Sequence, residues 1–193
     1  MRLALYGGSF DPIHHGHLIL AREALEQLKL EKVIFIPAAE SPFKPDHTTS
    51  TAAHRLRMVK LAVKGEPRFA VDTLEIERGA PSYTIETART YRQRYPMDAL
   101  FFLVGEDHLK TLPQWNDFDE LGRILQFAIL SRSDLPLSVP YPIVRWRFDI
   151  SATEIRNRVA QGLPITYLVP EVVLRYIDEN QLYRGDHVSE LRS

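Results

Sequence analysis

The 193-residue chain contains no cysteine. That excludes a disulfide framework, a thiolate nucleophile and any zinc site built on sulfur. An excess of charge is missing too: 24 Lys and Arg stand against 25 Asp and Glu, a formal net charge of -1. Without a global basic field, any polyanion must be held by a local group of residues, and neither nucleic acid nor membrane is expected as a partner. Nowhere do about 18 apolar residues run together, the length a spanning helix needs. Residues 1–6 form only a short apolar stretch, ended by Gly7-Gly8 and then Asp11, which is unlike a secretory leader. A cytoplasmic setting is the expectation. Finally, no Gly-x-Gly-x-x-Gly follows the first apolar run, which disfavours a dehydrogenase-type dinucleotide site.

Short apolar, β-favouring runs are what the chain does contain. They fall at 3–6, 33–36, 69–76, 99–104, 127–130 and 144–150. Several are continuous rather than alternating, as strands buried on both faces of a sheet must be. Helical patterns separate them. Residues 17–28 place Leu18, Ala21, Leu25 and Leu28 on one stripe, 52–63 do so with Leu56, Val59 and Val63, and 83–95 form a more polar helix. Ser151 followed by Glu154 reads as a capping box, with Gly162 closing that helix, and Pro170 opens another. Strand and helix in alternation predict an α/β fold with a parallel sheet. No linker divides the chain, so one domain is expected over 1–184, with a polar, frayed tail over 185–193. Residues 39–50 form a long loop with two prolines, Lys44 and several hydroxyls, and a loop of that length in a compact domain is commonly functional.

The chemistry concentrates where the first run meets the first helix, in Gly7-Gly8-Ser9-Phe10-Asp11-Pro12-Ile13-His14-His15-Gly16-His17. Glycines let backbone N–H groups approach an anion, and a helix N-terminus adds partial positive charge. His14 and His17, three apart, share a face, and Gly16 between them leaves room for a nucleotide over the backbone. The string describes a polyphosphate cradle. As a metal site it lacks a clear third ligand, and none is assigned. Ile150-Ser151-Ala152-Thr153-Glu154-Ile155-Arg156 offers a second capped helix start, with the Ser151 hydroxyl and an Arg156 fork suited to phosphate oxygens.

These strings carry a resemblance. His14-His15-Gly16-His17 resembles the HxGH signature of the nucleotidylyltransferase superfamily, and 150–156 resembles its ISxTxIR motif. Gly-Gly-Ser-Phe-Asp-Pro resembles the form found in bacterial nicotinate-mononucleotide adenylyltransferases. Pro42-Phe43-Lys44 resembles a PPHK-like segment whose lysine reaches ATP phosphates, with Phe43 where histidine is common. Pro81-Ser82-Tyr83-Thr84 resembles the PSYT segment near the nicotinate end. Gly105-Glu106-Asp107 resembles the GxD segment that contacts the nucleotide, and Trp115 the tryptophan near the pyridine ring. Arg132, just past the fifth strand, is placed at the same rim.

The resemblance implies a Rossmann-like doubly wound parallel sheet flanked by helices, and transfer of the adenylyl group of ATP to nicotinate mononucleotide. It implies His14, His17, Lys44 and Arg156 as catalytic residues. ATP would be bound by Gly7, Gly8, Ser9, Phe10, His14, His17, Gly105, Asp107, Ser151 and Arg156, and the acceptor by Thr84, Trp115 and Arg132. Mg²⁺ would arrive on the ATP phosphates. Alternatives remain at this point: a phosphopantetheine acceptor, a tRNA synthetase-like catalytic fold, or an ATP sensor without turnover. A homo-oligomer is left open.

Overall fold

Parallel neighbours cannot be joined by a hairpin; each needs a crossover of a dozen or more residues, which the spacing of the first apolar runs provides. The structure, a computed structural model, describes residues 1–39, 50–132, 138–147 and 149–184. Among these, six strands form one sheet: β1 (Arg2–Gly8), β2 (Lys32–Pro37), β3 (Phe69–Val71), β4 (Ala99–Gly105), β5 (Gln126–Ser131) and β6 (Ile143–Arg145). Their order is β3-β2-β1-β4-β5-β6, and every neighbouring pair is parallel. The chain winds outward from β1 to β3, returns to β4 on the other side of β1 and winds outward again. That reversal opens a crevice at the carboxyl ends of β1 and β4, the switch point where ligands bind in such sheets. The doubly wound, Rossmann-like parallel sheet expected from the sequence is the fold observed.

The helices, in chain order, are α1 (His15–Gln27), α2 (Ala52–Val63), α3 (Leu74–Arg78), α4 (Thr84–Arg94), α5 (Phe118–Ile124), α6 (Ala152–Ala160) and α7 (Glu171–Glu179), with single 3₁₀ turns at Glu106–His108 and Leu112–Gln114. Alternation along β1 sends Ala4 and Tyr6 into a core shared with α1, α2, α6 and α7, and Leu3 and Leu5 into one shared with α4 and α5. Both faces being covered explains the unbroken apolar runs. Each fully buried Leu, Ile or Phe contributes roughly 1.5–3 kcal/mol, so this sheet is the rigid part of the molecule.

Several boundaries differ from the expectation. The third run is a strand only over Phe69–Val71. Asp72 then accepts the Leu74 N–H on its carboxylate at 2.9 Å, a local turn that starts α3 and takes Leu74–Ile76 out of the sheet. The last run stops at Arg145, and Trp146 beyond it is half exposed. On α1 the buried stripe is Leu20, Ala21, Ala24 and Leu25, while Leu18 and Leu28 sit at its edge. Ser151 caps α6 as expected, its hydroxyl accepting the Glu154 N–H at 3.1 Å. The 185–193 tail lies outside the described residues. Among the described residues no helix is long and apolar enough to cross a membrane.

Candidate active site

A cleft of about 570 Å³ occupies the switch point. Gly7, Gly8, Ser9, Phe10, His14, Gly16 and His17 line it from the β1–α1 side, and Ser151 and Arg156 from α6. Gly105, Asp107, Arg132, Trp115 and Thr84 complete the wall. Every site residue named from the sequence therefore lines one cavity, except Lys44, which with its neighbour Phe43 lies outside the described residues.

β1 delivers the first group. Phe10 follows it in the left-handed region at φ 50°, and its ring packs edge-on against Tyr6 and His17 at 5.4 and 5.1 Å. The ring belongs to the core, which leaves the Phe10 backbone for a ligand. A Cβ on Gly7 would sit 3.1 Å from the Phe102 ring and one on Gly8 3.2 Å from the Phe10 ring. A side chain at either position would press on a neighbouring aromatic, which would have to give by a few tenths of an ångström.

His14 is the N-cap of α1, and its ring stacks on His17 with centroids 3.7 Å apart. The His14 backbone N–H donates to His17 Nδ1 at 3.2 Å. That bond makes Nδ1 of His17 an acceptor and assigns its proton to Nε2. Burial, then the Arg132 charge, holds His17 near a pKa of about 3. Burial, then His17 and Arg132, holds His14 far below the usual imidazole range. His14 Nδ1 is buried with no hydrogen-bond partner among the described residues. With both pKa values held down, the two rings serve as polar donors and acceptors, and among the described residues the guanidiniums lining the cleft are those of Arg132 and Arg156.

Arg156 reaches back from α6 to the first motif. Its guanidinium donates to the Asp11 carbonyl at 2.8 Å and to Thr153 Oγ1 at 3.4 Å. The Asp11 side chain is 2% exposed and accepts, on one carboxylate oxygen, the hydroxyls of Ser50 and of Tyr183, the latter at 2.6 Å. Beneath them Arg55 of α2, 1% exposed, donates to the carbonyls of Ser9, Ala38 and Ala39 at 2.9, 2.7 and 2.8 Å. Arg132 donates to the Ile150 carbonyl at 3.1 Å and so ties the end of β5 to the start of α6. Glu106 accepts from Ser131 Oγ at 2.6 Å, fixing the turn after β4 on which Asp107 sits. At the far end the Trp115 ring stands edge-on to Phe102 at 5.8 Å.

Asp11, Ser50, Arg55 and Tyr183 were not among the site residues read from the sequence. A signal existed for Arg55: it lies on the inward stripe of α2 with Met58, Val59 and Val63, where a cation requires partners. For Tyr183 there was none, since its partner is 172 residues away. No three His, Asp or Glu side chains converge as metal ligands among the described residues.

Comparison with known proteins defines the class first. Residues 5–158 match the cytidylyltransferase-like family. A Methylacidiphilum infernorum protein named "Probable nicotinate-nucleotide adenylyltransferase" is 45% identical over 188 residues, covering 94% of this chain and 92% of the relative. The Bacillus subtilis nicotinate-nucleotide adenylyltransferase is 39% identical over 187 residues, covering 95% and 99%. In fold, the chain is similar to the Plasmodium falciparum nicotinic acid mononucleotide adenylyltransferase solved with NaAD, at a TM-score of 0.80 and 18% identity over 94% of this chain and 97% of that one. The chain belongs to the cytidylyltransferase-like family and, within it, to the nicotinate-nucleotide adenylyltransferases.

Proposed function

We propose that the chain transfers the adenylyl group of ATP to nicotinate mononucleotide, giving nicotinate adenine dinucleotide and pyrophosphate, a step of NAD synthesis that belongs in the cytoplasm. The observation carrying this reading is that the paired histidines, the Arg156 helix start and the Thr84–Trp115 wall share one cleft.

The acceptor's 5′-phosphate oxygen attacks the α-phosphorus of ATP. The bond from that phosphorus to the bridging α–β oxygen breaks, and pyrophosphate leaves. A phosphate monoester has its second pKa at about 6, so it attacks as a dianion and needs no general base. The obstacle is the approach of two anions, which makes the chemistry one of positioning and charge stabilisation. His14 and His17 contact the transferring and bridging phosphates, His17 through its Nε2–H. Arg156 and Lys44 hold the departing pyrophosphate, with the Ser151 hydroxyl beside them. Backbone groups of Gly7 to Phe10 orient the reacting centre, and Gly105 and Asp107 meet the nucleoside. Thr84, Trp115 and Arg132 receive the acceptor. Mg²⁺ enters with ATP as the Mg·ATP substrate. Residues 1–184 carry the activity.

Pyrophosphate release with Mg·ATP and, in parallel, nicotinate mononucleotide, nicotinamide mononucleotide and phosphopantetheine tests the reading. Strong preference for the nicotinate acceptor is the expected result. Silence with all three, while ATP still binds, would remove the acceptor assignment.

A further inference from the structure

A buried carboxyl costs free energy unless its oxygens are satisfied, and one stands on the wall of this cleft outside the phosphate machinery. Glu75, on α3, lines the cleft and is 5% exposed. Burial pushes its pKa up, against the pull of Thr87, Arg78 and Ser82. Thr87 donates its hydroxyl to Glu75 Oε1 at 2.7 Å. Ser82, whose hydroxyl favours the charged form of the same carboxyl, accepts the Ala39 N–H at 3.0 Å. An ionised carboxyl accepts only, so it fixes the direction of the Thr87 hydroxyl.

Thr87, tied to Glu75, and Ser82, tied to Ala39, bracket the start of α4. Tyr83 is its N-cap and Thr84 its first residue, and both line the cleft. Free N–H groups of a helix's first turn favour a carboxylate ligand, and that preference depends on where they point. The phosphate half is braced separately, by Arg55, Ser50 and Tyr183 around Asp11. Among the described residues the two sets meet at Ala39, just past β2, where Arg55 takes its carbonyl and Ser82 its N–H.

Resting on the reading of this cleft as a nicotinate mononucleotide site, we propose that Glu75 is a positioning residue for the acceptor. It holds the first turn of α4 against the pyridine end, and so sets acceptor affinity and the preference for the acid over the amide without acting on ATP. A carboxylate ligand loses more than a neutral amide when those N–H groups turn away, so selectivity falls along with affinity.

The test is steady-state kinetics of Glu75→Gln, Glu75→Leu and Ser82→Ala, with melting temperatures measured alongside. Gln keeps one acceptor oxygen for Thr87 and replaces the other with an NH₂. In Glu75→Gln the KM for nicotinate mononucleotide should rise about tenfold, with the KM for ATP held within about twofold. The ratio of kcat/KM for the nicotinate over the nicotinamide acceptor should drop. Glu75→Leu should go further, and Ser82→Ala less far in the same direction. If the leucine variant does not fold, the other two still decide. Unchanged acceptor parameters, or both KM values rising together with a lowered melting temperature, would overturn the proposal and leave Glu75 structural. Wild-type enzyme that releases no pyrophosphate from nicotinate mononucleotide removes the reading of the cleft and this proposal with it; active wild type with unaffected variants removes only the role of Glu75.

Discussion

Two imidazoles stacked at 3.7 Å cannot both carry charge without mutual repulsion, and Arg132 opposes charge on either. In the proposed phosphate transfer they act as neutral donors already aimed, which leaves little solvent to reorganise at the moment of reaction. The His14 N–H bond to His17 Nδ1 is the device that aims His17. Removing such a preorganised donor typically costs about 10²–10³ in kcat. His17→Ala should show a loss of that size in pyrophosphate release, with circular dichroism unchanged. A loss under about threefold would place the ring outside the reaction. The motif histidines and Arg156 could be singled out in the sequence because each falls in a short motif at a helix start. Their protonation could not be read there, because it is set by burial and by Arg132, which arrives from another strand.

At the scale of elements, local signals located most strands and helices, and contacts decided the rest. α2 was read to the residue, yet its inward stripe was taken as Leu56, Val59 and Val63, whereas Arg55 is buried and Leu56 is not. The helical period places Arg55 on the inward face with Met58, Val59 and Val63, and three carbonyls waiting there let a guanidinium occupy it. The β-favouring run over 69–76 extends into the first residues of α3, and the Asp72 turn overrides the pattern there. Past α7, in the last residues of the expected domain, Tyr183 adopts φ 62° and delivers its hydroxyl to Asp11, whose carbonyl in turn holds Arg156. Tyr183→Phe removes that hydroxyl alone. A buried hydrogen bond to a charged partner is worth about 1.5–3 kcal/mol, so the KM for ATP should rise at least about tenfold while the acceptor's moves little. Unchanged ATP dependence would show that Asp11 keeps Arg156 in place unaided.

For the molecule as a whole, the switch-point crevice sets a conflict between binding anions and staying folded in acid. Above about pH 6.5 imidazole is neutral in both the folded and the unfolded chain, so His14 and His17 leave stability unaffected there. Below that, the unfolded chain takes up protons that the folded chain refuses, because burial and Arg132 hold His17 at about 3 and His14 far below its usual range. Stability is thus fully present above the unfolded value and drains as pH falls toward the folded ones, by at most about 1.4 kcal/mol per pH unit for each ring. His17 has part of its ring open to the cleft, which reduces its share. Glu75 works in the opposite sense. Its raised folded-state pKa is a cost at neutral pH that is relieved as the carboxyl takes up a proton, which offsets part of the loss at the acid end. The melting temperature of the wild type should fall between pH 7 and pH 5, and that of a His14→Asn, His17→Asn double variant should fall less steeply. A wild-type melting temperature flat across the interval, or a double variant with the same slope, would mean that the two rings accept protons in the folded protein and meet phosphate as cations.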